Sequence, residues 1–464
     1  MEIDDLVDEA QVIVIGAGPS GLMSAKVAQE YGYKVLLIDS GHNAGVKYSS
    51  ILDRNKLRFT SGGLGGAAKN WGAQCALPSL QNLNQWTNLI GANRTYIPQI
   101  YESVKNVSEF LNLKISIDNN YFKNEIEHYS EMFSTKHSVY LPQSDLTEYF
   151  SDLISSSTYI ENISVARLFS NEKNIELIQI GNKKINVKGK FIILACGTIA
   201  TTEIVNASLQ SGETLTYSLQ DHPHGYLVTF RGTQPTKLSK KQVRKFRGIN
   251  YKRKFEFSSR NYSRSAVIEF HYDISGKVWK SLNLPLLDYS QVKLRTLINR
   301  VIYKFSGQFL FPVPYTHVWV QIEQDKVPYL KCKNGVAESS WELGDSDIDF
   351  LREIQEKVLD LGTSLGLELV WALDLENKGD VQSLFVDAFH PSGTLTSHRL
   401  SDCGFVNEYG KVHGLENLII NSAATWPVSG WFNPTFFLMC IADLNTRNLL
   451  NEVEISSSCG DSLI

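Results

Sequence analysis

Two groups of residues, at opposite ends of the chain, have the types and spacing needed for chemistry on a bound nucleotide. The first is the turn Gly16-Ala17-Gly18-Pro19-Ser20-Gly21. In turns of this kind the glycines allow a tight bend, close approach of the backbone to a pyrophosphate, and packing of the following helix on the strand. The helix N-terminus attracts phosphate, and Asp39, at the end of the next apolar run, can accept from ribose hydroxyls. The spacing predicts a dinucleotide site.

The second group lies near the C-terminus. It contains His390, in the sequence Phe389-His390-Pro391-Ser392-Gly393-Thr394, and Asn433, which precedes Pro434. An imidazole suits general-base chemistry because its ordinary pKa lies near neutral pH. Each residue also has a purely structural interpretation. His390 can be a core histidine bonded to backbone, and Asn433 can be the N-cap of the apolar helix predicted over Phe436–Leu450.

Short, continuous apolar runs predict the parallel sheet that must hold the turn. Val12–Ile15 and Val35–Ile38 are typical of strands buried on both faces, and a helical pattern over Leu22–Glu30 separates them. A further buried strand is predicted within Lys190–Gly197, with a helix over Ile199–Ser208 after it. Three β-rich pieces precede that strand, as they do in glutathione-reductase-like FAD domains: Ile163–Phe169, Ile175–Ile180 and Lys183–Val187.

The segments between these runs have different characters. The glycine-rich stretch Ser61–Ala73 suggests backbone wrapped around a ligand. Leu80–Ser157 is polar and aromatic, with helical patches around Ile97–Leu111 and Leu146–Ser155, and is interpreted as a covering segment rather than core sheet. Residues 225–385 predict an antiparallel sheet with helices on one side, forming a substrate domain. Its predicted elements are the strands Tyr226–Arg231, Ala266–Tyr272 and His317–Gln324, and a helix over Asp345–Gly362 capped by Asp345 or Ser346.

Composition limits the class of protein. At 464 residues with a net charge of −4, the chain is expected to form two closely packed domains and gives no indication of a nucleic-acid partner. The six cysteines are scattered without metal-like spacing, so reduced thiols and no metal site are expected. No apolar run is long enough for a membrane span, and the acidic N-terminus does not resemble a signal peptide. A cytoplasmic protein is predicted.

A basic segment interrupts this otherwise acidic chain. Residues 237–304 carry seventeen Lys/Arg against four Asp/Glu, a charge of +13 that leaves −17 for the remainder. Within it, Leu282–Phe311 mixes large apolar residues with basic ones. Such a stretch can lie on an anionic membrane surface, bind an anionic substrate, or simply be the solvated face of an ordinary core helix. The sequence leaves these alternatives open.

Taken in order, the motifs resemble those of the glucose–methanol–choline (GMC) oxidoreductases. The resemblance rests on the N-terminal turn, the loop ending at Asn70, the strand and turn Ala195–Thr198, the HxxGT motif at His390, and Asn433-Pro434. It is closest to the His/Asn branch that includes cholesterol oxidase and pyranose oxidase. The implied fold is α/β: a glutathione-reductase-like FAD-binding Rossmann domain (residues 1–85, 158–225 and 386–464) with an α+β substrate domain containing an antiparallel sheet (residues 86–157 and 226–385).

The resemblance also implies the cofactor and the site. FAD is expected to be bound without a covalent link, because no histidine lies between Gly62 and Cys75, where some members attach it. His390 would be the base that takes the hydroxyl proton of an alcohol, and Asn433 would orient the same oxygen. The implied cofactor-binding residues are Gly16, Gly18, Pro19, Ser20, Gly21, Asp39, Ser40, Gly65, Gly66, Asn70, Trp71, Gly72, Ala73, Val165, Ala195, Cys196, Gly197, Asn421, Ser422, Asn433, Pro434 and Thr435.

The chain departs from the family pattern in places. Ala67 and Ala68 replace small hydroxyl residues, and Asn421 stands where an aspartate is usual. His222 and His224 form an HxH-like pair without companion ligands, so a hinge at the exit from the FAD domain is the preferred interpretation.

The expected substrate is a sugar, a polyol, or a hydroxyl on a glycan or glycolipid precursor, and the electron acceptor is undetermined. A sterol or other lipid alcohol, a non-redox flavoprotein lyase, and a binding protein with vestigial FAD are the alternatives. A pyridine-nucleotide disulfide reductase is disfavoured, because the chain has neither a paired redox cysteine motif nor a second GxGxxG.

Overall fold

The computed structural model describes most of the chain. The described residues are 3–41, 47–48, 58–59, 62–78, 80–113, 133–143, 145–209, 214–231, 243–246, 249–259, 264–272, 315–325, 327–333, 336–339 and 342–460. Of the basic segment, 237–304, only 243–246, 249–259 and 264–272 belong to these ranges, and the amphipathic part, Leu282–Phe311, lies outside them. Among the described residues, no helix is both long enough and apolar enough to span a bilayer.

A parallel sheet holds the glycine turn, as the apolar runs predict. Its described strands lie in the order Leu418–Ile420, Phe191–Leu194, Val12–Ile15, Val35–Ile38 and Thr158–Ile160. The second, third and fourth strands are the ones predicted from sequence. Every residue of Val12–Ile15 and Val35–Ile38 is buried, which explains their continuous apolar character. Helix Pro19–Glu30 connects these two strands, so the prediction of a Rossmann-like domain is confirmed.

The three β-rich pieces form a small antiparallel sheet of their own, in the order Lys183–Asn186, Asn174–Ile180 and Val165–Asn171. It stands between Thr158–Ile160 and Phe191–Leu194 in sequence, as in the predicted FAD domain. Elsewhere Leu215–Leu219, Val327–Lys333 and Val336–Ser339 make a separate small sheet, and Lys47–Tyr48 pairs with Arg58–Phe59.

A large antiparallel sheet, with nine strands among the described residues, forms the other half of the molecule. Its main path is Glu368–Ala372, His224–Arg231, Thr316–Ile322, Ser265–Tyr272, Ile249–Ser258, Phe133–Tyr140 and Gln74–Cys75, and Val243–Phe246 and Phe385–Val386 pair at its sides. The predicted antiparallel sheet is therefore present. The interpretation of Leu80–Ser157 as cover alone is wrong for Phe133–Tyr140, a polar strand that pairs along the length of Ile249–Ser258. Its Ser-, Thr- and Lys-containing sequence has no apolar period, so the partner strand supplies what the local pattern lacks.

The described α-helices are Ile3–Glu9, Pro19–Glu30, Leu80–Leu89, Tyr96–Phe110, Leu146–Tyr149, Ser151–Ser156, Gly197–Leu209, Asp345–Ser364, Lys378–Leu384 and Pro434–Gly460, with short 3-10 helices at Gly66–Asn70 and Ala423–Thr425. The C-terminal helix begins at Pro434, as expected, but is longer than the predicted apolar stretch. Helix Asp345–Ser364 is capped by Gly344, not by Asp345 or Ser346, because Asp347 accepts a hydrogen bond from the Gly344 N–H and closes the first turn.

Candidate active site

The glycine turn is shaped by contacts that exclude side chains at two of its positions. A Cβ on Gly16, which has φ 107°, would lie 2.4 Å from the carbonyl oxygen of Ala195, which directly follows the neighbouring strand Phe191–Leu194. A Cβ on Gly21 would lie 1.8 Å from the Gly16 carbonyl oxygen. A Cβ on Gly18 would meet nothing within 4 Å, although Gly18 is the N-cap of helix Pro19–Glu30 and no side chain caps that helix. The helix N-terminus therefore has open space beside it and N–H groups that no side chain satisfies.

Asp39 is buried at the end of its strand and organises the loops around the turn. Its carboxylate accepts hydrogen bonds from the N–H groups of Ala17 at 2.7 Å, Gly41 at 2.8 Å and Gly63 at 2.6 Å. An ionised carboxylate has about four acceptor positions, so a further donor such as a ribose hydroxyl can still be accommodated. Ser40 follows it and is partly exposed.

The loop predicted to wrap a ligand forms the 3-10 helix Gly66–Asn70 and the bend after it. Gly65, with φ 86°, donates through its N–H to the Ala17 carbonyl oxygen, which ties this loop to the glycine turn. The Asn70 side chain lies outside what the structure describes. The buried indole N–H of Trp71 has no acceptor in the described part of the chain, a Cβ on Gly72 would meet nothing within 4 Å, and Ala73 has a left-handed φ of 59°. An unsatisfied buried donor beside strained backbone marks a place for a polar ligand.

The remaining predicted cofactor residues lie around the same edge of the parallel sheet or behind it. Ala195, Cys196 and Gly197 follow strand Phe191–Leu194 directly, and a Cβ on Gly197 would meet nothing within 4 Å. Asn421, in place of the usual aspartate, donates to the hydroxyls of Ser24 and Thr446. It thereby joins helix Pro19–Glu30 to helix Pro434–Gly460. Ser422 caps the 3-10 helix Ala423–Thr425. The side chain of Val165 packs in the apolar cluster behind the sheet, so only its backbone can reach a ligand.

The loop carrying His390 is bound to the FAD-type domain by its own backbone. Thr198, after the turn at Gly197, donates to the Pro391 carbonyl oxygen, and the hydroxyls of Thr202 and Thr394 share a hydrogen bond of 2.7 Å. Gly393 has a φ of 82°, which favours glycine, and a Cβ there would also lie 2.9 Å from the Gln220 side-chain oxygen. The HxxGT residues are thus fixed beside the strand that contacts Gly16.

His390 meets two residues from a distant part of the chain. Its Nδ1 lies 2.6 Å from Nε2 of His222, and its backbone N–H donates to Oδ2 of Asp221 at 3.1 Å. Oδ1 of the same carboxylate accepts from the His222 N–H at 2.7 Å. Asp221 and His222 are buried, whereas His390 keeps part of its surface open. Phe389, just before it, has a φ of 58°, which is strained for a bulky residue. The interpretation of His222 as a histidine without companions is therefore wrong: its companion is His390.

Asn433 lies directly before the C-terminal helix Pro434–Gly460 and is held by a hydrogen bond to the antiparallel sheet. Its amide Nδ2 donates to Oε1 of Gln74 at 2.7 Å, and Gln74 in turn donates to Ser138 at 2.6 Å. Since the amide nitrogen carries two protons, one donor remains after this contact. Trp431, two residues earlier, accepts at its carbonyl oxygen from Gln321, which lies directly opposite His224 in the strand register. The segments of both predicted catalytic residues therefore meet the same sheet.

One face of that sheet is polar although it is buried. Alternate residues on the central strands point to it, whereas the intervening residues pack with helix Asp345–Ser364 in an apolar core. Lys254 and Glu269 form an ion pair of 3.1 Å with only 7% and 4% of their side chains exposed. Glu256 accepts from the Trp431 indole at 2.9 Å, and the rings of His224 and Trp319 lie 5.2 Å apart. We call this surface the polar face; its members are Lys254, Glu256, Glu269, His271, Trp319, Gln321, His224 and Tyr226.

Comparison with known proteins agrees with this architecture. Residues 331–442 match the family model described as GMC oxidoreductase, and residues 14–82 match that of an NAD(P)-binding Rossmann-like domain. The C-terminal part of the chain is therefore similar to the GMC oxidoreductases. No curated protein matches it in sequence.

Solved structures share the fold at low sequence identity. Formate oxidase from Aspergillus oryzae RIB40 superposes with a TM-score of 0.57 at 14% identity, over 96% of this chain and 98% of that one. Pyridoxine 4-oxidase from Mesorbium loti gives 0.57 at 11% identity, over 95% and 99%. A fungal aryl-alcohol oxidase gives 0.59 at 13% identity, over 96% and 100%. The likeness therefore extends over nearly the whole of each chain.

The described residues fit FAD, the cofactor that the resemblance to the GMC oxidoreductases implies. The open helix N-terminus at Gly18 suits the pyrophosphate, Asp39 retains room for a ribose hydroxyl, and the unsatisfied Trp71 indole supplies a donor. The predictions that FAD is not covalently bound, and that the individual residues contact it, remain predictions.

Burial shifts the ionisation of the histidine site. The pKa of His390 falls to about 4, because its surroundings exclude water and His224 lies nearby. The pKa of His224 also falls to about 4, chiefly through burial, and that of His222 falls well below its ordinary value for the same reason. Burial and the neighbouring Asp387 raise the pKa of Asp221 to about 7. Near neutral pH the imidazoles of His390, His224 and His222 are therefore uncharged.

Sequence analysis does not identify Asp221, Gln74 or the polar face, which contact the segments of the two predicted catalytic residues. One available signal is the alternation Lys254-Phe255-Glu256-Phe257, in which charges recur with the period of a strand between buried aromatic residues. The other is Asp221-His222-Pro223-His224 itself. What sequence cannot supply is the partner of each residue, because His222 and His390 are separated by 168 positions.

Proposed function

We propose that this protein is a GMC oxidoreductase that oxidises an alcohol group of a hydroxyl-rich substrate, with His390 as the base that takes the hydroxyl proton. The substrate class is a sugar, a polyol, or a hydroxyl of a glycan or glycolipid precursor. Bound FAD supplies the hydride acceptor. The protein supplies the base, the orientation of the substrate oxygen and the walls of the substrate site.

His390 has the properties that the role of base requires. Its lowered pKa keeps the ring neutral across the physiological range, so a nitrogen lone pair is available to accept a proton. Its partly open surface admits a small molecule, while the HxxGT loop and Asp221 hold its backbone in place. The low pKa also makes it a modest base, which suits a proton that leaves together with a hydride rather than ahead of it.

Asn433 complements this role. Gln74 occupies one of its amide protons, and the second can donate to the substrate oxygen. Its segment is fastened to Glu256 and Gln321 of the polar face, so the donor is held by the rigid sheet and not by a loop alone. A fixed donor to the same oxygen would orient the hydroxyl for transfer of its proton to the base.

The polar face is the observation that carries the choice of substrate class. Lys254, Glu269 and Glu256 are buried charged residues, and burying them is expensive unless polar groups surround them. A wall of this kind offers alternating donors and acceptors to several hydroxyl groups. A sterol or another lipid alcohol requires an apolar wall instead. The aryl-alcohol oxidase among the structural neighbours carries an alcohol in its name, which supports the reaction class but not the substrate.

Anaerobic reduction of the bound flavin tests this proposal. The yellow holoenzyme is mixed without oxygen with sugars, polyols, lipid-linked saccharides, sterols and long-chain alcohols, and the absorbance of the flavin at about 450 nm is followed. Bleaching by members of the first three classes, with little by sterols, is expected. Bleaching by sterols alone would contradict the proposed substrate class and indicate a lipid alcohol instead. Turnover of a substrate with no bleaching would indicate a non-redox lyase.

Binding of a membrane or of an anionic substrate through residues 237–304 remains a separate proposal. Its basis is the charge of +13 on that segment, which contains seventeen basic and four acidic residues. Sedimentation with anionic and with neutral vesicles tests it. Equal binding to both kinds of vesicle, or to neither, would count against an electrostatic membrane contact.

A further inference from the structure

The contact between His222 and His390 is closer than ordinary packing requires. Nε2 of His222 lies 2.6 Å from Nδ1 of His390, with the ring centroids 4.6 Å apart and the planes tilted by 39°. A nitrogen–nitrogen separation this short is that of a hydrogen bond, so one of the two nitrogens carries the proton and the other accepts it. His222 has only 1% of its surface exposed, and water cannot substitute for its partner.

A shared metal ion does not explain this geometry. Asp221, His222 and His390 do offer ligand atoms that all lie within 4.8 Å of one another. Two imidazole nitrogens bound tetrahedrally to zinc at about 2.0–2.1 Å would, however, be separated by roughly 3.3 Å. Both oxygens of Asp221 already accept backbone N–H groups of the two histidines. The arrangement suits a shared proton.

Two neutral arrangements of that proton are possible, and they differ in what His390 can do. If His222 donates, Nδ1 of His390 is the acceptor and its Nε2 carries the proton, so neither nitrogen can take a proton from a substrate. If His390 donates, its Nε2 has a free lone pair. Nδ1 of His222 has no hydrogen-bond partner among the described residues in either case, so that atom does not select between them.

We propose that His222 is a positioning residue that accepts the Nδ1 proton of His390 and thereby holds His390 in the tautomer whose Nε2 can act as a base. This inference rests on the proposed function, because only a base needs that tautomer. In the proton-transfer step, the substrate hydroxyl proton passes to Nε2 of His390. The resulting positive charge is shared with His222 across the hydrogen bond.

The surrounding structure holds this hydrogen bond at a fixed length. The Asp221 carboxylate binds the backbone of both histidines, and the antiparallel bridge between Gln220 and Ser392 joins the two segments on either side. Above its pKa of about 7 the Asp221 carboxyl is ionised, and in that form it also stabilises the positive charge that appears during proton transfer. This division of work, in which one group sets the tautomer of a histidine base, is the role that aspartate has in serine proteases.

Two substitutions at His222 separate a tautomer-setting role from a space-filling one. His222→Leu fills the site but accepts no hydrogen bond. His222→Gln places an amide oxygen near the position of Nε2 and can accept the Nδ1 proton. Flavin reduction by a saturating substrate should slow by about 10²-fold or more in His222→Leu, and His222→Gln should recover to within about tenfold of the wild-type protein. The substrate dissociation constant should change little in either, since the lost interaction is one of the transition state.

FAD content and the melting temperature of each holoenzyme establish that the variants are folded. His222→Leu reducing its flavin at the wild-type rate would overturn the inference. So would equal slowing in a folded His222→Leu and a folded His222→Gln, because an acceptor alone would then not suffice. A His390→Ala variant with unchanged reduction would instead overturn the proposed function.

A readout that needs no turnover complements the kinetics. In protein labelled with ¹⁵N-histidine, the nitrogen chemical shifts distinguish a protonated ring nitrogen from a bare one. His390, assigned by its loss in His390→Ala, should show a protonated Nδ1 and a bare Nε2, and His222→Leu should lose this preference. The opposite tautomer in the wild-type protein would overturn the inference even if the kinetics agreed.

Discussion

The backbone N–H of His390 donates a hydrogen bond of 3.1 Å to Asp221, which lies 169 residues earlier in the chain. The same carboxylate accepts from the N–H of His222 at 2.7 Å. One buried side chain therefore sets the relative position of two histidines on different segments, one of which is the proposed base. Asp221 thus joins the segments that carry His222 and His390.

Replacing Asp221 by alanine should lower the free energy of unfolding and should also slow flavin reduction. Two buried N–H groups would lose their acceptor, each at a cost of about 1–3 kcal/mol. Denaturant unfolding of the holoenzyme should show this loss, and flavin reduction should be slower because His390 is no longer held against His222. Asp402→Ala, at an exposed position on the same C-terminal part of the chain, is the matched control. Equal stabilities of the two variants would contradict this role.

Asp221→Asn should change the pH dependence of stability. The pKa of Asp221 is raised from 3.8 to about 7, so between these values the folded protein keeps a proton that the unfolded chain releases. This group therefore lowers the free energy of unfolding as pH rises from about 4 to about 7. His390 acts in the opposite sense, since its lowered pKa adds stability that is lost as pH falls from 6.5 towards 4.

In the Asp221→Asn variant the contribution of Asp221 should be absent, and the unfolding free energy should rise more steeply, or fall less steeply, with pH than that of the wild-type protein. Equilibrium unfolding at several pH values measures both slopes. Parallel curves for the two proteins would show that Asp221 does not titrate in this range.

The buried ion pair of the polar face should show strong coupling. Lys254→Met leaves Glu269 with a buried charge that has lost its 3.1 Å partner, and the expected cost is about 3–5 kcal/mol. Glu269→Gln should cost a comparable amount, whereas the double variant should cost less than the sum of the two. Weaker binding of a polyhydroxylated substrate should accompany each change. If the two single costs simply add in the double variant, and substrate affinity is unaltered, this ion pair is not part of the substrate site.

Glycines of the N-terminal turn should divide into two classes. Gly18→Ala should leave the melting temperature of the apoprotein unchanged, because its Cβ meets no protein atom within 4 Å, but should weaken FAD binding. Gly21→Ala should destabilise the apoprotein itself, since its Cβ would lie 1.8 Å from the Gly16 carbonyl oxygen. Thermal unfolding and FAD titration separate the effects. Unimpaired FAD binding by Gly18→Ala would contradict the cofactor assignment.

Local sequence patterns predict the parallel sheet well, for a physical reason. Strands such as Val12–Ile15 are buried on both faces, so every residue is apolar and the strand is visible without knowledge of its neighbours. The glycine turn is equally visible, because Gly16 has a φ of 107° that favours glycine and because a Cβ on Gly21 would meet the Gly16 carbonyl oxygen five residues earlier.

The antiparallel sheet is harder to predict, and the residues that contact the proposed catalytic side chains are harder still. Phe133–Tyr140 carries polar residues that are stable as a strand only because Ile249–Ser258 pairs with it. Lys254 and Glu269 are buried together, whereas sequence alone places charged residues at the surface. His222 looks unsupported until the fold brings His390 to it. In each case the deciding partner is distant in sequence.

The most direct test of the base assignment is the rate of flavin reduction by the true substrate in His390→Ala, measured without oxygen by stopped flow and compared with His398→Ala, a surface histidine of the same C-terminal region. A neutral base at this position predicts a loss of about 10²–10⁴-fold in His390→Ala, none in His398→Ala, and a wild-type rate that declines only near the lowered His390 pKa of about 4. A His390→Ala enzyme that bleaches as fast as the wild-type protein would contradict it.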